Sequence, residues 1–133
     1  MRKFLLLLSA LLLLSGCTAP EKEADSYRQI NMDEAVSLMQ EESGYIILDV
    51  RRPDEFAEKH IPGAVNIPNE TIGTAEIPAL PDKDQLILVY CRSGNRSKQA
   101  SEKLVALGYT NVVEFGGIID WTGETATGMQ EGV

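Results

Sequence analysis

The 133-residue chain has little of what marks several large classes of protein. It contains two cysteines, Cys17 and Cys91, one histidine, His60, and one tryptophan, Trp121. No His/Cys/Asp cluster has metal-ligand spacing and no glycine-rich segment fits a nucleotide, so neither a metal nor any other cofactor is expected. Basic residues are scarce: 12 Lys and Arg stand against 20 Asp and Glu, a formal charge of −8. Nucleic acid and anionic membrane surfaces are therefore poor partners. No apolar run approaches the ~20 residues that a membrane-spanning helix needs. Internal repeats and low-complexity segments are absent too. The length suits one domain with a single core, and a single domain is expected.

What is present begins with a leader. Met1-Arg2-Lys3 followed by the 11 residues Phe4 to Leu14 reads as the basic and apolar regions of an export signal. The run stops at Leu14-Ser15-Gly16-Cys17. Those four residues resemble the lipobox of bacterial lipoproteins, whose cysteine is acylated on sulfur and becomes the new N-terminus. The resemblance implies a signal peptide over 1–16, lipidation at Cys17, and an exported protein held at the cell envelope by that lipid. In a Gram-positive cell the anchor is the outer face of the cytoplasmic membrane. In a Gram-negative one Thr18 stands where inner-membrane retention is associated with aspartate, which favours the outer membrane. Cleavage removes Arg2 and Lys3 and no acid, so the mature chain is more acidic still. Residues 17–26 then form a polar, flexible tether, 27–124 the domain, and 125–133 a loose C-terminal tail.

Acylation of Cys17 leaves Cys91 alone in an exported protein, where cysteines usually pair. A buried, inert cysteine would explain a lone thiol elsewhere, but Ser93, Gly94, Asn95 and two arginines are the wrong flanks for a core.

Hydrophobic periodicity orders the domain. Asn31 with Glu34 resembles a capping box, and Met32, Ala35, Val36 and Met39 recur at helical spacing to about Gln40, with Gly44 closing the turn. Tyr45 to Val50 is a strand apolar on both faces. Pro53 opens a short helix through Glu58, His60 to Gly63 is turn material, and Ala64 to Ile67 is a short strand stopped by Pro68. The stretch 69–84 is the least legible. Leu86 to Tyr90 is the most hydrophobic strand, Ser97 to Leu107 reads as a helix ending at Gly108, and Val112 to Phe115 is the last strand. Strands alternating with helices predict an α/β domain, a small parallel sheet with helices on both faces. Its ligands belong at the carboxyl ends of the strands, where this order puts Cys91 and Asp49 to Arg52.

Cys91-Arg92-Ser93-Gly94-Asn95-Arg96-Ser97 thus places a thiol where a buried strand hands over to a helix. A helix N-terminus presents unpaired amide groups and the positive end of the helix dipole, which favour negative charge on a nearby sulfur and on any anion brought to it. Arg92 and Arg96 reinforce that field. Arg96 is expected to face the pocket, and Arg92 either binds substrate or is a solvated charge. Gly94 lets the backbone turn inward or is a simple turn glycine. Ser97 is either a helix cap or a substrate contact. Asp49 and Arg51 touch the site or fix the neighbouring loop; His60 stabilises its turn by a hydrogen bond, and Trp121 covers the sheet edge.

These residues resemble the rhodanese family of sulfurtransferases. The match runs through Asp49-Val50-Arg51 with Glu55-Phe56, His60-Ile61-Pro62-Gly63-Ala64 with Asn66-Ile67-Pro68, the loop Cys91 to Arg96 in the pattern Cys-Arg-x-Gly-x-Arg, and Gly108-Tyr109 through Gly116-Gly117 to Trp121. Lys59 departs from the family, which usually has glycine there. The resemblance implies a single rhodanese-like domain in which Cys91 attacks the outer sulfur of a small anionic donor such as thiosulfate. The resulting persulfide, held by the loop residues Arg92 to Ser97, passes its sulfur to cyanide or a thiol acceptor. Phosphatases and arsenate reductases on the same fold need five residues between cysteine and arginine; here four lie between Cys91 and Arg96. The remaining alternatives are a non-catalytic rhodanese-like binding module and a protein persulfide relay at the envelope.

Overall fold

The unbroken apolar run ending at Cys91 becomes the middle of the sheet because only a strand covered on both faces and flanked on both edges can bury it all. A computed structural model describes residues 26–129. Along it come β1 (Arg28–Gln29), α1 (Met32–Glu41), β2 (Ile46–Asp49), α2 (Pro53–Glu58), β3 (Val65–Asn66), β4 (Ile87–Cys91), α3 (Asn95–Ala106) and β5 (Val112–Gly117). Single 3-10 turns occupy Asn69–Thr71 and Ile118–Asp120. The strands pair in the order β1-β5-β4-β2-β3, every pairing parallel, which is the small parallel α/β sheet the alternation of elements predicts.

Side-chain alternation divides the sheet between two cores. Leu48, Ile87, Val89, Cys91 and Val112 point to the face covered by Ala100 and Leu104 of α3, with Ile72, Leu80 and Tyr109 filling the flank. Ile47, Leu88, Tyr90, Val113 and Phe115 point to the other face, under Ala35 of α1 and Phe56 of α2. The nucleophile candidate therefore sits on the α3 side and its neighbour Tyr90 on the α2 side.

Local signals account for most helix ends. Asn31 caps α1 by accepting the Glu34 amide at 2.9 Å, and Pro53 opens α2. Three differences from the sequence expectation stand out. Strand β1, two residues long, is too short for any periodic signal and exists because Arg28 and Gln29 lie against Val113 and Glu114. Helix α3 begins at Asn95, two residues before the expected Ser97: Gly94 takes φ +112, a left-handed conformation that turns strand directly into helix. The segment expected as a loose tail is held through Gly128. His60 and Ala126 exchange backbone hydrogen bonds of 2.9 Å, and the Gly128 amide donates to the Ala57 carbonyl at 2.8 Å. Such a pairing depends on a partner over sixty residues away, so no local pattern announces it. The leader and Cys17 lie outside the described residues.

These three backbone bonds are worth about 3 kcal/mol together at the usual net contribution of a protein hydrogen bond. A chain ending at Glu124 is expected to lose that amount, read as a lower midpoint of urea unfolding with an unchanged slope.

Candidate active site

Cys91 is the last residue of β4 and is 1 % exposed. Its Sγ accepts the Gly94 amide at 3.0 Å and lies 3.3 Å from Ser97 Oγ. The strand ends, three residues turn, and the backbone comes back over the sulfur just as α3 starts. Helical amides without intrahelical partners are concentrated at that point, so the positive end of α3 faces the thiol.

The turn depends on β5. Between β4 and β5 the register shifts: Val89 stands opposite Glu114 but Cys91 opposite Gly117, so β5 spends one residue more than β4 over the same length. The extra residue is accommodated by Gly116 at φ +96. Gly117 then runs so close to the loop that a Cβ on it would land on the Arg92 carbonyl and the Ser93 amide nitrogen. No side chain fits there.

The loop residues do not share one role. Arg92, Ser93 and Asn95 are exposed, Gly94 and Ser97 buried, and Arg96 half-buried. Arg96 is clamped by Glu55 of α2 in a bidentate pair, Nη1 to Oε1 at 2.6 Å and Nη2 to Oε2 at 3.1 Å. The hydrogen bonds from Arg96 hold the Glu55 carboxyl below its usual range, so the pair stays charged at neutral pH. Arg96 nonetheless lines a cleft of about 440 Å³ together with Arg92, Lys59, Glu58, Asp54 and the exposed Ile119. Cys91 does not line this cleft, whose wall on that side is built from Arg92 and Arg96. Arg92 has no ion pair among the described residues, while Arg52 is bound to Asp54.

Of the two roles expected of Ser97, the structure does not give it the helix cap, because Gly94 is the residue at the cap position. Its Oγ points inward, 2.7 Å from Glu114 Oε1 and 2.9 Å from the Gly94 carbonyl. Glu114, on the α3-facing side of β5 and 3 % exposed, also accepts the Gly116 amide at 2.8 Å. Sequence reasoning missed this carboxylate. The available signal was an acid at the inward position of an otherwise apolar strand, Val112-Val113-Glu114-Phe115.

Asp49 and Arg51 hold the neighbouring loop. Their pair is buried, Nη2 to Oδ2 at 2.7 Å, and the same guanidinium nitrogen donates to the Lys59 carbonyl at 2.7 Å. Tyr90 lies beneath with its ring 5.8 Å from Arg51, its hydroxyl accepting the Ile61 amide at 3.1 Å. Burial, reinforced by Asp49, pushes that phenol far above its usual value, so it stays neutral. His60 donates from Nδ1 to the Phe56 carbonyl at 2.8 Å and stacks on the Phe56 ring at 3.7 Å, the turn-stabilising role expected of it. Trp121 packs against the α2-side core while half-exposed, its indole donating to the Glu124 carbonyl.

A five-stranded parallel sheet with a cysteine at the carboxyl end of its middle strand, its sulfur accepting an amide at a helix start, defines a small parallel α/β domain with a thiol at the strand-to-helix turn. Residues 32–124 match the family model for the rhodanese-like domain. The chain belongs to that family, as a rhodanese-type sulfurtransferase. It is 41 % identical over 73 residues to a thiosulfate sulfurtransferase, PspE, of Escherichia coli, covering 55 % of this chain and 70 % of that protein. With the thiosulfate sulfurtransferase GlpE of Pseudomonas entomophila it shares 34 % identity over 110 residues, covering 79 % and 97 %. Among solved structures it superposes on a rhodanese with anions from E. coli with a TM-score of 0.58 at 37 % identity, covering 63 % of this chain and 99 % of that one. Residues 1–18 match the prokaryotic membrane lipoprotein lipid attachment site.

Gly117→Ala is expected to force the loop backbone away from β5 and to destabilise the fold by about 2–3 kcal/mol, the usual cost of overpacking, measured by urea unfolding.

Proposed function

We propose that the protein moves sulfane sulfur from a small anionic donor of the thiosulfate type to cyanide or a thiol acceptor, through a persulfide on Cys91. The observation that carries this reading is the Gly94 amide donating to Cys91 Sγ at 3.0 Å inside a turn that begins a helix. Cys91 attacks the donor's outer sulfur; the donor's S–S bond breaks and its electron pair leaves with sulfite. The terminal sulfur of the persulfide carries the negative charge. The loop from Arg92 to Ser97 supplies the amides and helix dipole that stabilise it, as an oxyanion hole does. The four-residue spacing between Cys91 and Arg96 makes a cradle suited to one sulfur atom and too small for a tetrahedral oxyanion.

The overall charge of −8 repels an anionic donor at a distance, so attraction has to be local. Arg92 and Lys59, exposed at the cleft and without an ion pair among the described residues, are the side chains that supply it in this reading. Lipid on Cys17, with residues 17–26 as a tether, sets this chemistry outside the cytoplasm at the cell envelope.

With thiosulfate and cyanide, the purified protein is expected to form thiocyanate, and with thiosulfate alone to gain the mass of one sulfur. Cys91→Ser is expected to abolish both. A Cys91→Ser protein that still forms thiocyanate, or a wild type that gains no sulfur from thiosulfate, would remove this reading. Cys17→Ser is expected to move the protein from the membrane to the soluble fraction of cells, and retention in the membrane fraction would exclude the lipid as the anchor.

A further inference from the structure

Beneath the loop, on the side away from the cleft, three side chains that carry exchangeable protons or charge line up inside an apolar core. Cys91 Sγ is 3.3 Å from Ser97 Oγ, and Ser97 Oγ is 2.7 Å from Glu114 Oε1. All three residues are buried, at 1 %, 0 % and 3 % exposure. A hydroxyl has one proton to give. The shortest of the contacts open to it is the one to the Glu114 carboxylate, and a charged acceptor makes the stronger bond. Ser97 therefore donates to Glu114 and turns a lone pair to the sulfur, where it accepts the thiol S–H. The chain runs in one direction, thiol to hydroxyl to carboxylate.

That arrangement suits the resting thiol and conflicts with a thiolate. A sulfur anion and a carboxylate on either side of one hydroxyl would place two negative charges in a dry core with a single proton between them. The conflict disappears if the proton crosses. We propose that Glu114 is the proton acceptor for Cys91, acting through Ser97. The thiol proton passes to Ser97 Oγ as the Ser97 proton passes to Glu114 Oε1. A thiolate, an intact hydroxyl and a neutral carboxylic acid result, with one negative charge before and after. The thiolate forms the new S–S bond while the donor's own S–S bond breaks onto the leaving group. The persulfide charge then sits on the outer sulfur, one atom further from Glu114, which keeps its proton. When the acceptor removes that sulfur, the charge returns to Sγ and the proton runs back.

Other titratable groups near Glu114 do not compete for the role. Tyr27, beside β1, is pushed up by burial and then by Glu102 and Glu114, so it stays neutral. Arg96, whose guanidinium also feels Cys91, is committed to Glu55. Gln29 stands opposite Glu114 on β1 and does not titrate.

The inference rests on Cys91 being the sulfur nucleophile, and the test separates the two. The reagent is methyl methanethiosulfonate, small and indifferent to the physiological donor: Cys91 forms a mixed disulfide and methanesulfinate leaves with the electron pair. Modification is followed by intact mass for the wild type, Glu114→Gln and Ser97→Ala, each checked for folding by circular dichroism. Gln keeps an oxygen for Ser97 and for the Gly116 amide but takes no proton. In the wild type the proton never leaves the protein, so the rate is expected to be nearly flat between about pH 6 and about pH 8. In Glu114→Gln it must go to solvent, so the rate is expected to be about a hundredfold lower at neutral pH and to climb about tenfold per pH unit. Ser97→Ala should show the same acquired slope, and answers the question alone if Glu114→Gln does not fold. A reactive wild type with a Glu114→Gln variant that is as fast, or whose pH profile runs parallel, overturns the relay and leaves the nucleophile standing. A wild-type thiol that does not react at all overturns both.

Discussion

The close passage of β5 against the loop after β4 is the constraint on which the site depends. Gly117 leaves no room for a Cβ beside the Arg92 carbonyl and the Ser93 amide. With the outer side of the turn blocked in this way, the chain has to fold inward at Gly94, whose φ of +112 only glycine adopts without strain. The inward fold brings an amide to the sulfur and starts α3 at Asn95. The shift in register that brings Gly117 there also sets Glu114 opposite Val89, on the same face of the sheet as Cys91. One irregularity in one strand pairing thus shapes both sides of the thiol.

Charge in this region is spent largely on structure. The Asp49–Arg51 pair is buried and ties the end of β2 to the Lys59 carbonyl beyond α2. The Glu55–Arg96 pair joins α2 to the first turn of α3 across 41 residues of sequence. Both are charge-assisted and use more than one hydrogen bond, the geometry in which an ion pair resists exchange with water. The cleft between these elements is therefore lined by cations that are mostly already neutralised, with acids among them. The proposed recognition of an anion there relies on the helix start and the loop amides more than on net charge, which for the whole chain has the wrong sign.

The two faces of the sheet divide the work. Tyr90, His60, Phe56 and the Asp49–Arg51 pair form a rigid polar-aromatic layer on the α2 side. On the α3 side the buried ionisable groups among the described residues are Cys91, Glu114 and Tyr109, of which Cys91 and Glu114 are joined through Ser97. Buried polar groups are retained at a cost unless satisfied, and Ser97 is the element that satisfies both. The middle strand thus carries a polar-aromatic layer on one face and a hydrogen-bonded line from Cys91 through Ser97 to Glu114 on the other.

Most of this was legible before the structure. The alternation of apolar runs and helical patterns determined a parallel α/β domain, because a strand apolar on both faces can only be an inner one, and Cys91 had to stand at its carboxyl end. Gly94, the two arginines and the spacing of the loop led to the expectation of a thiol in an anion-stabilising turn, and the turn itself was legible because helix starts are dictated by neighbours in sequence. Tertiary structure alone decided what depends on distant partners. It engaged Arg96 with Glu55, turned Ser97 inward to Glu114 and away from the cap position, added β1 against β5, and drew Ala126 back to His60. Each of these is a contact between segments far apart along the chain, whose energy comes from burial and desolvation of the assembled fold. No window of sequence contains both halves of such a contact.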